Sequence, residues 1–265
     1  MPLALPPMAE PTPAPARPVE AVLFDLYGTL VRVSLDEDSP ALWARLAAAL
    51  GGTGRAVDAD RVRREFQAIL REEGTRRHEG FVMEPVFRRL LTRFAAGDDV
   101  ARLGRRFREL SLKELALFPY VTRLLEALTA ARCRTAIVSN TEAVLTQFDL
   151  GEFPVLRTVD AIVLSSEVGV RKPDPGIFQI ALDRLETPPA AAVFVGNSLT
   201  DDVAGARRAG LRCVFLDEHL HGAEPVVASD GEVLRVPLTL PAIARALERF
   251  GWSGGGGLAG ASSVP

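Results

Sequence analysis

Six short runs rich in Val, Ile and Phe constrain this chain more than any other feature: VEAVLF (19–24), RTAIVS (134–139), DAIVLS (160–165), AAVFVG (191–196), RCVFL (212–216) and EVLRV (232–236). Their apolar character is nearly continuous, which fits strands covered on both faces, as in a parallel sheet. From Pro119 onward, helical patterns separate them, over 120–132, 141–149, 175–186, 200–209 and 239–250. Strand, helix and strand in repeated succession imply right-handed crossovers and an open α/β sheet with helices on both faces.

Residues from about Ser39 to Lys113 break that rhythm. Helical periodicity over 39–50, 58–73, 83–96 and 98–115, interrupted at Gly51-Gly52 and Gly97-Asp98-Asp99, predicts a small all-helical unit. This unit, spanning 31–118, is spliced into a core made of 19–30 and 119–250. The Pro/Ala-rich stretch 1–18 and the Gly/Ser-rich stretch 251–265 are predicted to be mobile tails, because neither can bury enough surface to offset its ordering entropy.

The formal charge of −3 gives no basic stripe for nucleic acid. No apolar run approaches the roughly 18 residues of a membrane-spanning helix, and the proline-rich N-terminus does not read as a secretory signal. A cytoplasmic protein acting on a small molecule is the expectation; oligomeric state leaves no mark in the sequence. Cys133 and Cys213 lie inside apolar runs without metal-ligand spacing, and are expected to be buried free thiols.

In open α/β sheets, ligands sit beyond the carboxyl ends of the strands. After the first predicted strand come Asp25, Tyr27, Gly28 and Thr29. After the second come Ser139 and Asn140; Lys172 opens a KPDP turn; Gly196, Asn197, Ser198, Asp201 and Asp202 follow AAVFV. Individually these are ordinary turn and capping residues. Together they would bring a carboxylate, a hydroxyl and amide pair, an ammonium and a second carboxylate to one pocket, which equips a nucleophile and its electrostatic support.

The stretches FDLYGTL, IVSNT, RKPDPGIF and VGNSLTDDVAGARRAG, in this order, resemble the four motifs of the haloacid dehalogenase-like hydrolase superfamily. The resemblance covers about Val19 to Leu216 and implies a Rossmann-like core with a helical cap inserted after the first motif. It implies Asp25 as a nucleophile forming a covalent ester with substrate, and Thr29, Ser139 and Asn140 as donors to the anionic group, with Tyr27 beside them. Lys172 would neutralise developing charge, and Asp202 would position Lys172 or a metal. For Mg²⁺ the implied ligands are Asp25, the Tyr27 carbonyl, Asn197 and Asp202.

Several positions depart from the family pattern. Phosphatases of the superfamily usually carry a general-acid Asp two residues after the nucleophile, where this chain has Tyr27, a feature of the 2-haloacid dehalogenases. Yet Leu199 and Phe178 stand where those dehalogenases have Asn and Tyr, and Asn197 replaces an acid of the phosphatase metal set, which implies weaker Mg²⁺ binding. A Mg-assisted phosphoester hydrolase is the leading expectation. The alternatives are a metal-independent 2-haloacid dehalogenase-like hydrolase and a non-catalytic binding module. Substrate choice is expected to lie in the cap, where Arg45, Arg71, Arg76 and Arg77 read as a solvated face and Trp43 and Phe81 as core. His78, His219 and His221 read as surface residues.

Overall fold

The computed structural model describes residues 18–52, 55–76, 83–221, 226–227, 231–254 and 258. The segment 1–17 and the cap residues Arg77, His78 and Phe81 lie outside them, and Arg76 is described only in its backbone.

The strands are β1 (Ala21–Phe24), β2 (Val31–Leu35), β3 (Leu112–Leu117), β4 (Arg134–Ser139), β5 (Ala161–Leu164), β6 (Ala192–Gly196), β7 (Arg212–Leu216), β8 (Val226–Val227) and β9 (Val233–Val236). Helices α1 (Pro40–Gly51), α2 (Ala59–Arg76), α3 (Met83–Phe94) and α4 (Val100–Ser111) form the insert. In the core follow α5 (Val121–Ala130), α6 (Ala143–Glu152), α7 (Ser165–Val168), α8 (Pro175–Arg184), α9 (Ala204–Arg208) and α10 (Leu240–Arg249). None of the described helices is long and apolar enough to cross a membrane.

The main sheet has the order β5-β4-β1-β6-β7-β9-β8 and is parallel apart from β8, which runs antiparallel to β9. All six predicted strands are present, with β1 at the centre between β4 and β6. The chain winds outward from β1 in one direction through β4 and β5, then in the other through β6, β7 and β9. That reversal leaves a crevice at the carboxyl end of β1. Phe24 pairs with Ile137 on β4 and Val195 on β6, so the loops after all three strands emerge together.

Alternation along the strands builds two cores. Val22, Phe24, Ile137, Val195 and Val214 face α5 and α10, whereas Leu23, Val138, Phe194 and Cys213 face α8 and α9. Both cysteines are buried and free. Phe178 is fully buried against Phe194, ring centroids 5.0 Å apart, and so serves packing.

The insert has its own core, centred on Trp43, Phe66, Phe87 and Phe107, with ring centroids 5.2–6.3 Å apart. It leans on one side of the main domain. Val144 and Leu145 of α6 pack into it, and Gly104 on α4 lets the helices approach so closely that a Cβ there would press on Val144.

Two expectations are corrected. The helix predicted over 98–115 ends at Ser111, and the chain continues as β3, which pairs antiparallel with β2 in a two-stranded ribbon. LKELAL is a sequence of helix formers, but the backbone partners offered by β2 override that preference. The C-terminal stretch is not wholly a loose tail either: Trp252 is 3% exposed and Leu258 9%, both packed on the α5 and α10 face. Trp252→Ala is expected to cost about 3–5 kcal/mol, the range for emptying a buried aromatic site, readable as a lowered urea midpoint at unchanged slope.

Candidate active site

Asp25 leaves β1 and its main-chain N–H donates to the Val195 carbonyl at 2.9 Å, which locks the residue at the strand mouth. The chain then turns. Gly28 has φ +80°, a region that side chains rarely adopt, and its bare Cα accepts the Asn197 amide where a Cβ would overlap it. The Gly28 N–H closes the turn on the Val31 carbonyl at 2.8 Å. Tyr120 donates its hydroxyl to the Thr29 carbonyl and fixes the far side of the loop.

Lys172 is the hub. Its Nζ donates to Asp25 Oδ1 and to Asp202 Oδ1, each at 2.6 Å. All three residues are 6% exposed or less, so the ammonium and carboxylates satisfy one another in place of water. Asp202, in the turn Leu199–Val203, accepts through Oδ2 from the main-chain N–H groups of Asn197 (3.0 Å) and Ser198 (2.9 Å). Asp201 takes a different role, its N–H donating to Ser198 Oγ at 3.1 Å.

Burial pushes the Asp25 carboxyl up to about 6, against the pull of Lys172 and with a further push from Asp202. Burial alone would lower Lys172, but the two carboxylates outweigh it and hold the ammonium above its ordinary range. A carboxylate with reduced solvation and a fixed counter-ion is a better nucleophile than one in water.

Ser139, at the end of β4, directs its hydroxyl to Asp25 Oδ1 at 3.5 Å. Thr29 Oγ1 faces Asn197 Oδ1 at 3.4 Å. Both contacts are long and leave the hydroxyls able to re-aim. Asn140 seats the lysine: one Nδ2 N–H donates to the Lys172 carbonyl at 2.9 Å and its Oδ1 accepts from the Lys172 N–H at 2.7 Å, while the amide's second N–H is not used in these bonds. The Lys172–Pro173 peptide bond is cis.

Tyr27 departs from the expected role. Its hydroxyl donates to Asp149 on α6, and Arg108 of the insert helix α4 donates to it at 3.3 Å. Arg108 also binds Asp149 through Nε at 3.0 and 3.1 Å. Burial first, and Asp149 second, raise the phenol above its ordinary range. Tyr27 is therefore a fastening between insert and core, and a poor proton donor. A second bond, from the Met83 N–H to Glu142 at 2.7 Å, ties the same two parts. Neither Arg108 nor Asp149 announces itself in the sequence, since each sits in an ordinary amphipathic helix. The arginines singled out there play other parts: Arg45 and Arg71 are exposed. Trp43 is core, as expected.

Of the implied Mg²⁺ ligands, Asp25 and Tyr27 lie in the same loop, and Asn197 lies against Gly28 of that loop with its Oδ1 3.4 Å from Thr29 Oγ1. Asp202 is committed to Lys172 and two N–H groups, and among the described residues no three His, Cys, Asp or Glu side chains cluster as a metal site. Mg²⁺ is commonly held by only one or two carboxylates, with water and substrate phosphate oxygens completing its shell. The donor set fits such a weakly held ion.

A parallel α/β core with a carboxylate and lysine centre at its strand ends, and a helical insert after the first strand, defines a hydrolase class. The family model for haloacid dehalogenase-like hydrolases matches residues 19–210, and the chain belongs to that family. It is 31% identical over 206 residues to a ribulose-1,5-bisphosphate 5-phosphatase of Halopiger xanaduensis, covering 74% of this chain and 84% of that protein. A glyceraldehyde 3-phosphate phosphatase of Methanopyrus kandleri is 29% identical over 196 residues, 73% of this chain and 82% of that one. Among solved structures, a 2-haloacid dehalogenase of Pseudomonas syringae pv. Tomato shares the fold, with TM-score 0.55, 23% identity, and coverage of 88% of this chain and 99% of that one. The protein is a hydrolase.

The Arg108 and Asp149 side chains are 6% and 1% exposed. Removing one strands the other's charge, so Asp149→Ala should cost about 3–5 kcal/mol of stability. The paired change Arg108→Met with Asp149→Leu should cost less than the two single losses summed, as urea unfolding of all three variants would report.

Proposed function

We propose that the protein is a Mg-assisted phosphoester hydrolase acting on a small molecule. The observation that carries this reading is the ammonium of Lys172 held 2.6 Å from both Asp25 and Asp202 at the mouth of the central strand, and the phosphatase names of its relatives support it. Asp25 is the nucleophile, acting through Oδ2 because Oδ1 carries the Lys172 and Ser139 contacts. It attacks phosphorus, the bond from phosphorus to the organic oxygen breaks, and the alcohol departs. Water then attacks the aspartyl phosphate, releasing inorganic phosphate and restoring the carboxylate.

Lys172 neutralises charge on the phosphoryl oxygens, Thr29 and Ser139 supply hydroxyl donors, and Asn140 and Asp202 keep the lysine in place. Asp25, the Tyr27 carbonyl and Asn197 would hold Mg²⁺, which supplies Lewis-acid neutralisation of the phosphate when bound. With the Tyr27 hydroxyl engaged by Asp149, the departing oxygen takes its proton from water.

That same engagement favours a second reading, attack at carbon with loss of halide, in which no leaving-group acid is needed. The two differ in where water ends up. An ester of Asp25 opened at its carboxyl carbon leaves heavy oxygen from labelled water in Asp25, whereas attack at phosphorus leaves it in the released phosphate.

With p-nitrophenyl phosphate and Mg²⁺, phosphate release should be abolished by EDTA. Asp25→Asn should lose about a thousandfold or more in kcat while melting as a folded protein. Turnover of haloacids alone, or wild-type rates in the variant, would overturn the assignment. In the metal-free protein the Asp25 carboxyl, raised by burial to about 6, takes up a proton below that pH, and the proton competes there with both Mg²⁺ and substrate. A pH series of kcat/KM should be level above about pH 7 and fall roughly tenfold per unit below 6.

A further inference from the structure

Arg105 on α4 and Arg157 in the helical turn Pro154–Thr158 are exposed, and among the described residues no carboxylate pairs with either. Their neighbours differ: Arg106 has Glu109 at 3.3 Å, Arg88 has Glu84 at 2.5 Å, and Arg108 has Asp149. Both unpaired arginines line one groove of about 670 Å³ between the insert and the core. Arg105 comes to it from the insert. Arg157 comes from the core, where its Nη2 stands 3.5 Å from the place a Cβ would take on Gly151, near the end of α6.

The rest of the lining joins these charges to apolar side chains, among them Val100 of α4, Val144 and Phe148 of α6, and Ile162 of β5. Phe148 is half-buried yet belongs to none of the three hydrophobic cores. Glu84 also lines the groove, but it is already paired with Arg88. Two guanidiniums without a protein anion, sharing one volume with an unabsorbed ring, complement an anion that carries a flat apolar body. The volume falls within the roughly 300–1,000 Å³ of small-molecule sites. None of Asp25, Ser139, Lys172 and Asp202 lines the groove, so a molecule held there is not placed for reaction.

We propose that this groove is a second binding site, for a small aromatic anion, with Arg105 and Arg157 at the charged end and Phe148 against the ring. One guanidinium belongs to the insert and the other to the core. Occupancy therefore adds a tie across the same joint that Arg108 and Asp149 fasten. The site is independent of the phosphoester reading, since it uses no group of the candidate centre and needs no turnover.

Calorimetry on the full chain with naphthalene-2-sulfonate, which has no phosphorus and no group to lose, tests the site. One molecule should bind per chain, and Arg105→Gln and Arg157→Gln should each weaken it about tenfold or more, the size of one lost charge-assisted hydrogen bond. Ala101→Trp, which fills the groove from the exposed face of α4, should weaken it likewise. Naphthalene-2-methanol, the same body without the charge, should bind about tenfold more weakly or worse and be indifferent to both arginine changes. Arg102→Gln, on α4 but outside the groove, and Asp25→Asn should leave the sulfonate affinity within about twofold. No binding at millimolar probe, a loss confined to one of the two arginines, an equal loss in Arg102→Gln, or dependence on Asp25 would overturn the proposal.

The tie has its own readout. Saturating sulfonate should slow amide exchange in α4 and α6 together in the wild type, and in neither helix of Arg157→Gln. Protection confined to one helix would overturn the bridging.

Discussion

One buried ammonium between two buried carboxylates organises this protein. Lys172 would be intolerable in its place without Asp25 and Asp202, and either acid would be as costly without the lysine. Each member is delivered by a different loop, after β1, before α8 and after β6. The charge cluster therefore closes only when strand order and register are correct. Much of the surrounding hydrogen bonding serves this closure: the Asn140 amide seats the lysine, and two N–H groups seat Asp202.

The result is a carboxylate whose environment is fixed before any substrate arrives. Its counter-ion needs no rearrangement, and its neighbours are main-chain groups anchored in strands. Burial lifts the acid only part of the way towards neutrality, since Lys172 opposes the loss of charge. The group is thus ionised at neutral pH while being less well solvated than a carboxylate in water.

Much of this was legible in the sequence, for reasons that differ by residue. Continuous apolar runs marked the six parallel strands because burial on both faces removes polar alternation. Asp25, Lys172 and Asp202 stood out only as a set at successive strand ends, since each alone is an ordinary turn or capping residue. The β2–β3 ribbon was hidden, since LKELAL prefers helix and becomes strand only beside its partner. Arg108 and Asp149 were hidden for a related reason: they are 41 residues apart and find each other only through the packing of α4 on α6. Trp252 was masked by its glycine-rich neighbours, although a lone indole in such a stretch must pack somewhere or remain wet.

The ribbon has one more consequence. Val31 pairs with Leu117, so the path departs from the central scaffold and returns to it at neighbouring points. Whatever is threaded between those points costs the scaffold little in chain-closure entropy, which grows only with the logarithm of length. Such a junction works as a socket: the helical module can be lengthened, shortened or exchanged over evolutionary time while the strand order beneath it stays the same.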